Sequence, residues 1–110
     1  MSSWDFTAPG SWGGRPIAGE LGAARPRQRI LVTGTIRALR TITRNANGSP
    51  ALYCLFEDET GEVELVFLGR SAVPGLSVGT RLTVEGTLGR EGGRLVCLNP
   101  RYRIEAGEQP

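Results

Sequence analysis

The residues with the clearest chemistry in this 110-residue chain are its thirteen basic side chains, all of which are arginine. Arginine presents a planar fork of donors that matches the oxygens of a phosphate, and its guanidinium also stacks on rings. Residues 21–56 carry six arginines and no acidic residue, whereas residues 57–64 carry five acidic residues and no basic one. The net charge of +2 is small, but its distribution predicts arginine-bearing surfaces beside an acidic segment.

The residue types of this chain offer little for catalysis. The chain has no histidine, and its acidic residues fall in predicted turns and on solvent-facing strand positions, so no nucleophile stands beside a general base. Cys54 and Cys97 lie in apolar strand patterns without a Cys-x-x-Cys pair. We expect them to be buried free thiols, with a disulfide as the alternative. We therefore expect a binding protein without a cofactor or a metal, and not an enzyme.

Alternating apolar residues predict five β-strands that would position the arginines. The first strand begins at Gln28 and continues to Thr43, and the others cover residues 51–57, 62–68, 80–88 and 94–98. Gly34 interrupts the first strand, which is typical of a bend where one strand serves both halves of a sheet. The acidic turn at residues 58–61 joins the second and third strands.

Five strands without a long helix are predicted to close into a barrel, because closure removes exposed sheet edges and encloses the apolar residues. The predicted fold is an all-β, five-stranded Greek-key barrel of the OB type, with an SH3-like barrel as the alternative. We assign residues 28–105 to the barrel, residues 1–27 to a flexible N-terminal arm and residues 106–110 to a short tail. The arm contains Trp4, Phe6 and Trp12, which either pack on the barrel, bind a partner or do neither.

Several stretches resemble known domains. Residues 32–36, VTGTI, followed by residues 55–61, LFEDETG, resemble the OB domains of class II aminoacyl-tRNA synthetases and DNA repair proteins. The acidic turn, residues 79–86 (GTRLTVEG) and residues 99–104 (NPRYRI) are similar to the wedge domain of RecG-type branch-migration helicases. This resemblance implies a barrel that holds single-stranded or branched DNA. The sequence has no G-x-x-x-x-G-K-[ST] loop to hold a nucleotide phosphate. The resemblance therefore implies the barrel of such a helicase without its motor.

OB barrels bind ligands on the outward face of their second and third strands and on the two loops beside it. By the predicted alternation, that face carries Tyr53, Leu55 and Val66. The remaining predicted nucleic-acid-binding residues lie in the flanking loops and after the fifth strand: Arg37, Arg40, Arg44, Arg90, Arg94, Arg101, Tyr102 and Arg103. Bases would stack on the face while arginines hold the phosphates. Glu57, Glu62 and Glu64 lie on or beside the face and would repel phosphates.

The predicted function is therefore binding of single-stranded or branched nucleic acid, with DNA as the first candidate. The alternative is a protein-interaction barrel, an accessory subunit of a DNA repair or translation enzyme, that contacts a partner or a second copy through residues 1–27. No apolar run approaches the roughly 20 residues of a membrane-spanning helix. The N-terminus also lacks a signal pattern, so we expect a cytoplasmic protein without a membrane role.

Overall fold

The computed structural model describes residues 17–43 and 48–105. Within these ranges strands dominate and no α-helix occurs, which confirms the all-β prediction. The strands number seven in this part of the chain, two more than predicted, and a short 3-10 helix covers Leu21–Ala23. Their bounds are β1 Ile17–Ala18, β2 Arg29–Thr43, β3 Pro50–Glu57, β4 Glu62–Leu68, β5 Arg81–Glu91, β6 Arg94–Leu98 and β7 Arg101–Ile104.

All of these strands belong to one sheet in the order β1-β2-β3-β4-β6-β5-β7, and β2 also pairs with β5. Hydrogen-bonded neighbours therefore lead from β2 through β3, β4, β6 and β5 back to β2. The β4–β6 and β1–β2 pairs are parallel, and the other pairs are antiparallel. The added strands stand at the ends of this order, where β1 pairs with β2 and β7 pairs with β5.

The long strand β2 joins the two halves of the sheet, as the glycine pattern predicted. Its first half pairs with β5 as far as Thr35, and its second half pairs with β3 from Thr35 onward. Gly34 lies at this division, where a Cβ atom would stand only 2.2 Å from the backbone oxygen of Glu57. A glycine is needed here because the backbones of β2 and β3 approach more closely than a side chain allows.

The main core lies between the two halves of the sheet and is built from the inward side chains predicted by the period-two pattern. Phe56, Ile30, Ile36, Leu65 and Leu82 are among its fully buried members. Both cysteines are buried and free, which confirms the expected thiols. Burial raises the pKa of Cys97 to about 12, and burial together with the nearby Glu64 carboxylate raises the pKa of Cys54 to about 12. Neither thiol is ionised at neutral pH.

The part of the predicted N-terminal arm that the structure describes, residues 17–27, contacts the sheet, which differs from the expectation of a flexible arm. Ala18 pairs with Ile30 across β1 and β2, and Ala18 and Leu21 are buried in the main core. The acidic turn holds this segment, because the Leu21 amide donates to Asp58 Oδ2 at 3.0 Å. Residues 1–16, with Trp4, Phe6 and Trp12, and the predicted tail at 106–110 lie outside the described residues.

Asp58 organises the acidic turn through both of its carboxylate oxygens. In addition to the Leu21 contact, Oδ1 accepts from the amide and hydroxyl of Thr60, each at 2.7 Å, and from the Gly61 amide at 2.9 Å. Partial burial raises the pKa of this carboxyl, but the hydrogen bonds from Leu21, Thr60 and Gly61 outweigh it and hold the pKa below its ordinary value of 3.8. The charged carboxylate therefore stabilises the fold.

We expect Asp58→Asn to destabilise the protein at neutral pH by roughly 1–2 kcal/mol, because the amide offers the turn no charged acceptor. Since the folded-state pKa is lowered, the stabilisation is present above the unfolded pKa and is lost as pH falls through the folded pKa. The difference in urea midpoint between wild type and variant should thus be smaller at pH 3 than at pH 7. Glu59→Gln, an exposed neighbour, is the control; an equal effect of Asp58→Asn at both pH values would contradict the prediction.

Candidate nucleic-acid interface

The candidate site is the outward surface of β3, β4 and β6, which we call the outer face. Cross-strand pairing places Tyr53 opposite Val66, and Glu64 opposite both Leu55 and Val96. A second, smaller apolar cluster forms there, separate from the main core. Its buried members are Ala51, Tyr53, Val66 and Val96, with Ile42 of β2 packed against them. The predicted outward face of the second and third strands, which are β3 and β4 of the structure, therefore exists, but the smaller apolar cluster buries part of it.

This cluster buries residues that the sequence placed in the binding surface. Tyr53 is only 6% exposed and Val66 is fully buried. The guanidinium of Arg40 lies over the Tyr53 ring, 4.6 Å from its centroid, and the Tyr53 hydroxyl lies 3.3 Å from the Glu91 carboxylate. An incoming base would have to displace Arg40 before it could stack on Tyr53. The tyrosine thus supports the outer face from below and is not a free stacking platform.

The acidic residue at the centre of the outer face is also buried. Glu64 was expected to be an outward, phosphate-repelling side chain, yet it is only 5% exposed. Arg40 of β2 and Arg94 of β6 reach it from opposite sides and both contact the same oxygen, Oε1, with Arg94 at 3.5 Å. The side chains of these arginines remain 50% and 67% exposed. The two guanidinium groups therefore compensate the carboxylate and still face solvent.

Apolar side chains remain accessible around this centre. Leu68 and Leu98 are 39% and 49% exposed, and Leu55 is half-buried. Leu98 was not among the predicted site residues, although the alternation of β6 puts it on the same side as Val96. A pocket of about 220 Å³ beside Leu55 is bordered by Glu62, Glu64 and Arg94. The outer face thus combines an apolar floor with two arginines at facing edges.

Comparison with solved structures identifies the architecture. The second OB-fold domain of replication protein A from Methanococcus maripaludis matches with a TM-score of 0.58 and 14% identity, over 86% of this chain and 98% of that domain. The p204 HINb domain matches with a TM-score of 0.57 and 14% identity, over 83% of this chain and 47% of that one. The chain has an OB fold. No protein-family model and no curated protein matches it, and the resemblance to helicase wedge domains stays a sequence prediction.

The other predicted site residues of this OB fold are spread over several surfaces. Arg101 and Arg103 project from β7, which pairs with β5. They contact Glu85 and Glu105 at 3.8 and 3.6 Å, respectively. They therefore lie on a different face from Arg40 and Arg94. Tyr102 packs against the main core, with its ring perpendicular to that of Phe67 at 5.8 Å between centroids.

The predicted loop arginines likewise have separate surroundings. Arg37 forms a 3.3 Å ion pair with Glu57 at the far end of β3. Arg90 pairs with Leu95 across the β5–β6 hairpin, on the opposite side from Arg94, and donates to the Gly93 carbonyl at 3.5 Å. Arg44 lies outside the described residues. Of the predicted arginines, the structure therefore brings Arg40 and Arg94 together on the outer face.

In residues 17–43 and 48–105, no group of three or more histidine, cysteine or acidic side chains is arranged to hold a metal ion. Over the same ranges, no helix has the length and apolar character needed to cross a membrane.

Proposed function

We propose that this protein binds single-stranded or branched nucleic acid, DNA in the first instance, on the outer face of a closed five-stranded Greek-key barrel. The observation that carries the proposal is the convergence of Arg40 and Arg94 from opposite edges of this face. Phosphates would contact the exposed sides of these guanidinium groups, and bases would lie over Leu55, Leu68 and Leu98. We propose that the protein binds nucleic acid without catalysing a reaction on it, and that it does so in the cytoplasm.

General properties of OB folds support this assignment. OB folds commonly bind oligonucleotides across this surface, between the loops that flank it, and the uninterrupted circuit of strands from β2 back to β2 supports barrel closure. Guanidinium groups bind phosphates bidentately and without regard to base sequence. Because Tyr53 is covered, stacking contributes little here, and we expect electrostatic contacts to dominate the affinity.

Fluorescence anisotropy with labelled oligo-dT, a forked duplex and an RNA of equal length tests the proposal. We expect micromolar dissociation constants at low salt, and a plot of log affinity against log salt with a slope of about −1.4 for two neutralised phosphates on a single strand. Absence of binding to all three ligands at low salt and tens of micromolar protein would contradict it.

A protein-interaction role is the second candidate, favoured by the partial exposure of Leu68 and Leu98 beside each other. The Leu68 amide donates to the Asn99 side chain at 2.9 Å, which holds the start of this apolar patch next to the end of β6. The contribution of residues 1–16 is measured by removing them, so that the variant starts at Ile17, because residues 17–27 belong to the folded part. An unchanged mass by light scattering and unchanged partners in a pull-down would count against this candidate.

A further inference from the structure

Glu64 is the feature of the outer face that a simple phosphate-binding surface does not explain. Its carboxylate lies at the centre of the face, 5% exposed, on the strand that an OB fold places beneath its ligand. A buried carboxylate requires compensating charge, because desolvation disfavours the ionised form. Here that charge comes from the same arginines that the proposed function assigns to phosphates.

Arg40, Glu64 and Arg94, from three different strands, form a cluster that we call the Glu64 clasp. Arg40 arrives from β2 and Arg94 from β6, and both guanidinium groups contact Oε1 of the single carboxylate on β4. Tyr53 lies beneath Arg40 at 4.6 Å and fixes its position through a cation–π contact. The carboxylate thus occupies the point between two guanidinium groups where a bridging phosphate would otherwise bind.

We propose that Glu64 is a specificity-determining residue that keeps phosphates off the floor of the outer face and confines them to its edges. This inference rests on the proposed function. With Glu64 in the clasp, Arg40 and Arg94 offer a ligand only their exposed sides, and a phosphate that enters the floor meets a negative charge. A single strand satisfies this arrangement, because it can turn its bases to the floor and its phosphates outward.

Duplex nucleic acid satisfies the arrangement poorly. Its bases are paired and stacked inside the helix, so the surface that it presents to the protein is lined by phosphates. Glu64 therefore discriminates against duplex and in favour of unpaired strands. Each charge of the clasp has a separate consequence: the arginines raise affinity for any nucleic acid, and the carboxylate decides which form of it can approach closely.

The test compares Glu64→Gln with Glu62→Gln in the full-length protein. Both variants remove one negative charge from the same strand and face, but among the described residues Glu62 forms no ion pair with an arginine. Anisotropy titrations use oligo-dT and a blunt duplex of equal length at several salt concentrations. Circular dichroism melting confirms that each variant is folded.

We expect Glu64→Gln to bind oligo-dT about 3- to 10-fold more tightly and to make the salt slope more negative by about 0.7, as expected for one more neutralised phosphate on a single strand. Duplex affinity should rise by a larger factor, so the preference for single strands falls. Glu62→Gln should raise both affinities by the same small factor and leave the slope unchanged. If Glu64→Gln fails to fold, Glu64→Asp, whose shorter side chain cannot hold both arginines, should give intermediate changes.

The binding measurements distinguish failure of the proposed function from failure of the role assigned to Glu64. Absence of binding to oligo-dT, to the forked duplex and to RNA, by the wild type and by Glu64→Gln at low salt, overturns the proposed function itself. Normal binding by the wild type, with equal effects of Glu64→Gln and Glu62→Gln or with an unchanged preference for single strands, overturns the role of Glu64 alone.

Discussion

Replacement of Arg40 and Arg94 together by glutamine is expected to weaken binding of single-stranded DNA by about 10- to 100-fold and to reduce the magnitude of the salt slope by about 1.4, the contribution of two phosphates. Both side chains face solvent from opposite edges of the outer face while they contact Glu64. Glutamine retains an amide donor for the buried carboxylate but not the charge that compensates it, so circular dichroism melting must first show that the double variant is folded. Anisotropy titrations over a range of salt concentrations measure both quantities.

The matched control is the double variant Arg101→Gln with Arg103→Gln. It removes the same two charges, but from β7, on a different face. We expect a loss of at most a few-fold and a nearly unchanged slope, because distant charges act only through the screened field of the protein. Equal losses in the two double variants would mean that binding follows overall charge, and would contradict the assignment to the outer face.

Substitution of Gly34 by alanine is expected to have the largest effect on stability, a loss of about 3 kcal/mol. The added Cβ would lie 2.2 Å from the Glu57 backbone oxygen and 2.9 Å from the ring of Phe56. A flexible side-chain end could move aside, but a strand backbone can move only by disturbing the pairing of β2 with β3. For a domain of this size, the melting temperature should fall by roughly 12–24 °C, as measured by circular dichroism or calorimetry.

Gly89→Ala is the control for this prediction. Gly89 also lies within a strand and outside the left-handed backbone region, but its added Cβ would meet only Val96 at 3.9 Å, an ordinary contact. The substitution should be neutral or slightly stabilising, because alanine loses less backbone freedom on folding than glycine. A melting temperature for Gly34→Ala that equals that of Gly89→Ala would show that the close approach of β2 and β3 is not rigid.

The strands and the turn between β3 and β4 could be predicted because their signals are local. Alternation of apolar residues in β3 and β4 identifies the inward set whatever the strand order, and Asp58 with Gly61 marks the turn from neighbouring residues alone. Strands β1 and β7 are short and carry little pattern. Their pairing with β2 and β5 depends on contacts with distant parts of the chain, so the sequence pattern did not separate residues 17–27 from a flexible arm.

The site was harder to predict because exposure on an outward face depends on residues that are far away in sequence. The alternation of β4 correctly points Glu64 and Val66 away from the main core. Whether Glu64 meets solvent depends on Arg40, 24 residues earlier, and on Arg94, 30 residues later. In the same way, Arg101 and Arg103 follow β6 directly in sequence, yet the pairing of β7 with β5 carries them to another face.

By itself, the sequence of this protein determined an all-β chain with an arginine-rich, histidine-free surface and a glycine at the bend of its long strand, because these properties depend on residue types and short-range periodicity. Tertiary structure alone decided which arginines meet. Strand order placed β6 next to β4 on one side and β2, beyond β3, on the other. A buried carboxylate in a low-dielectric position drew Arg40 and Arg94 to one point. The sequence pattern predicts that Glu57, Glu62 and Glu64 repel phosphates. In the structure, Glu64 is instead the residue on which the two arginines of the candidate site converge.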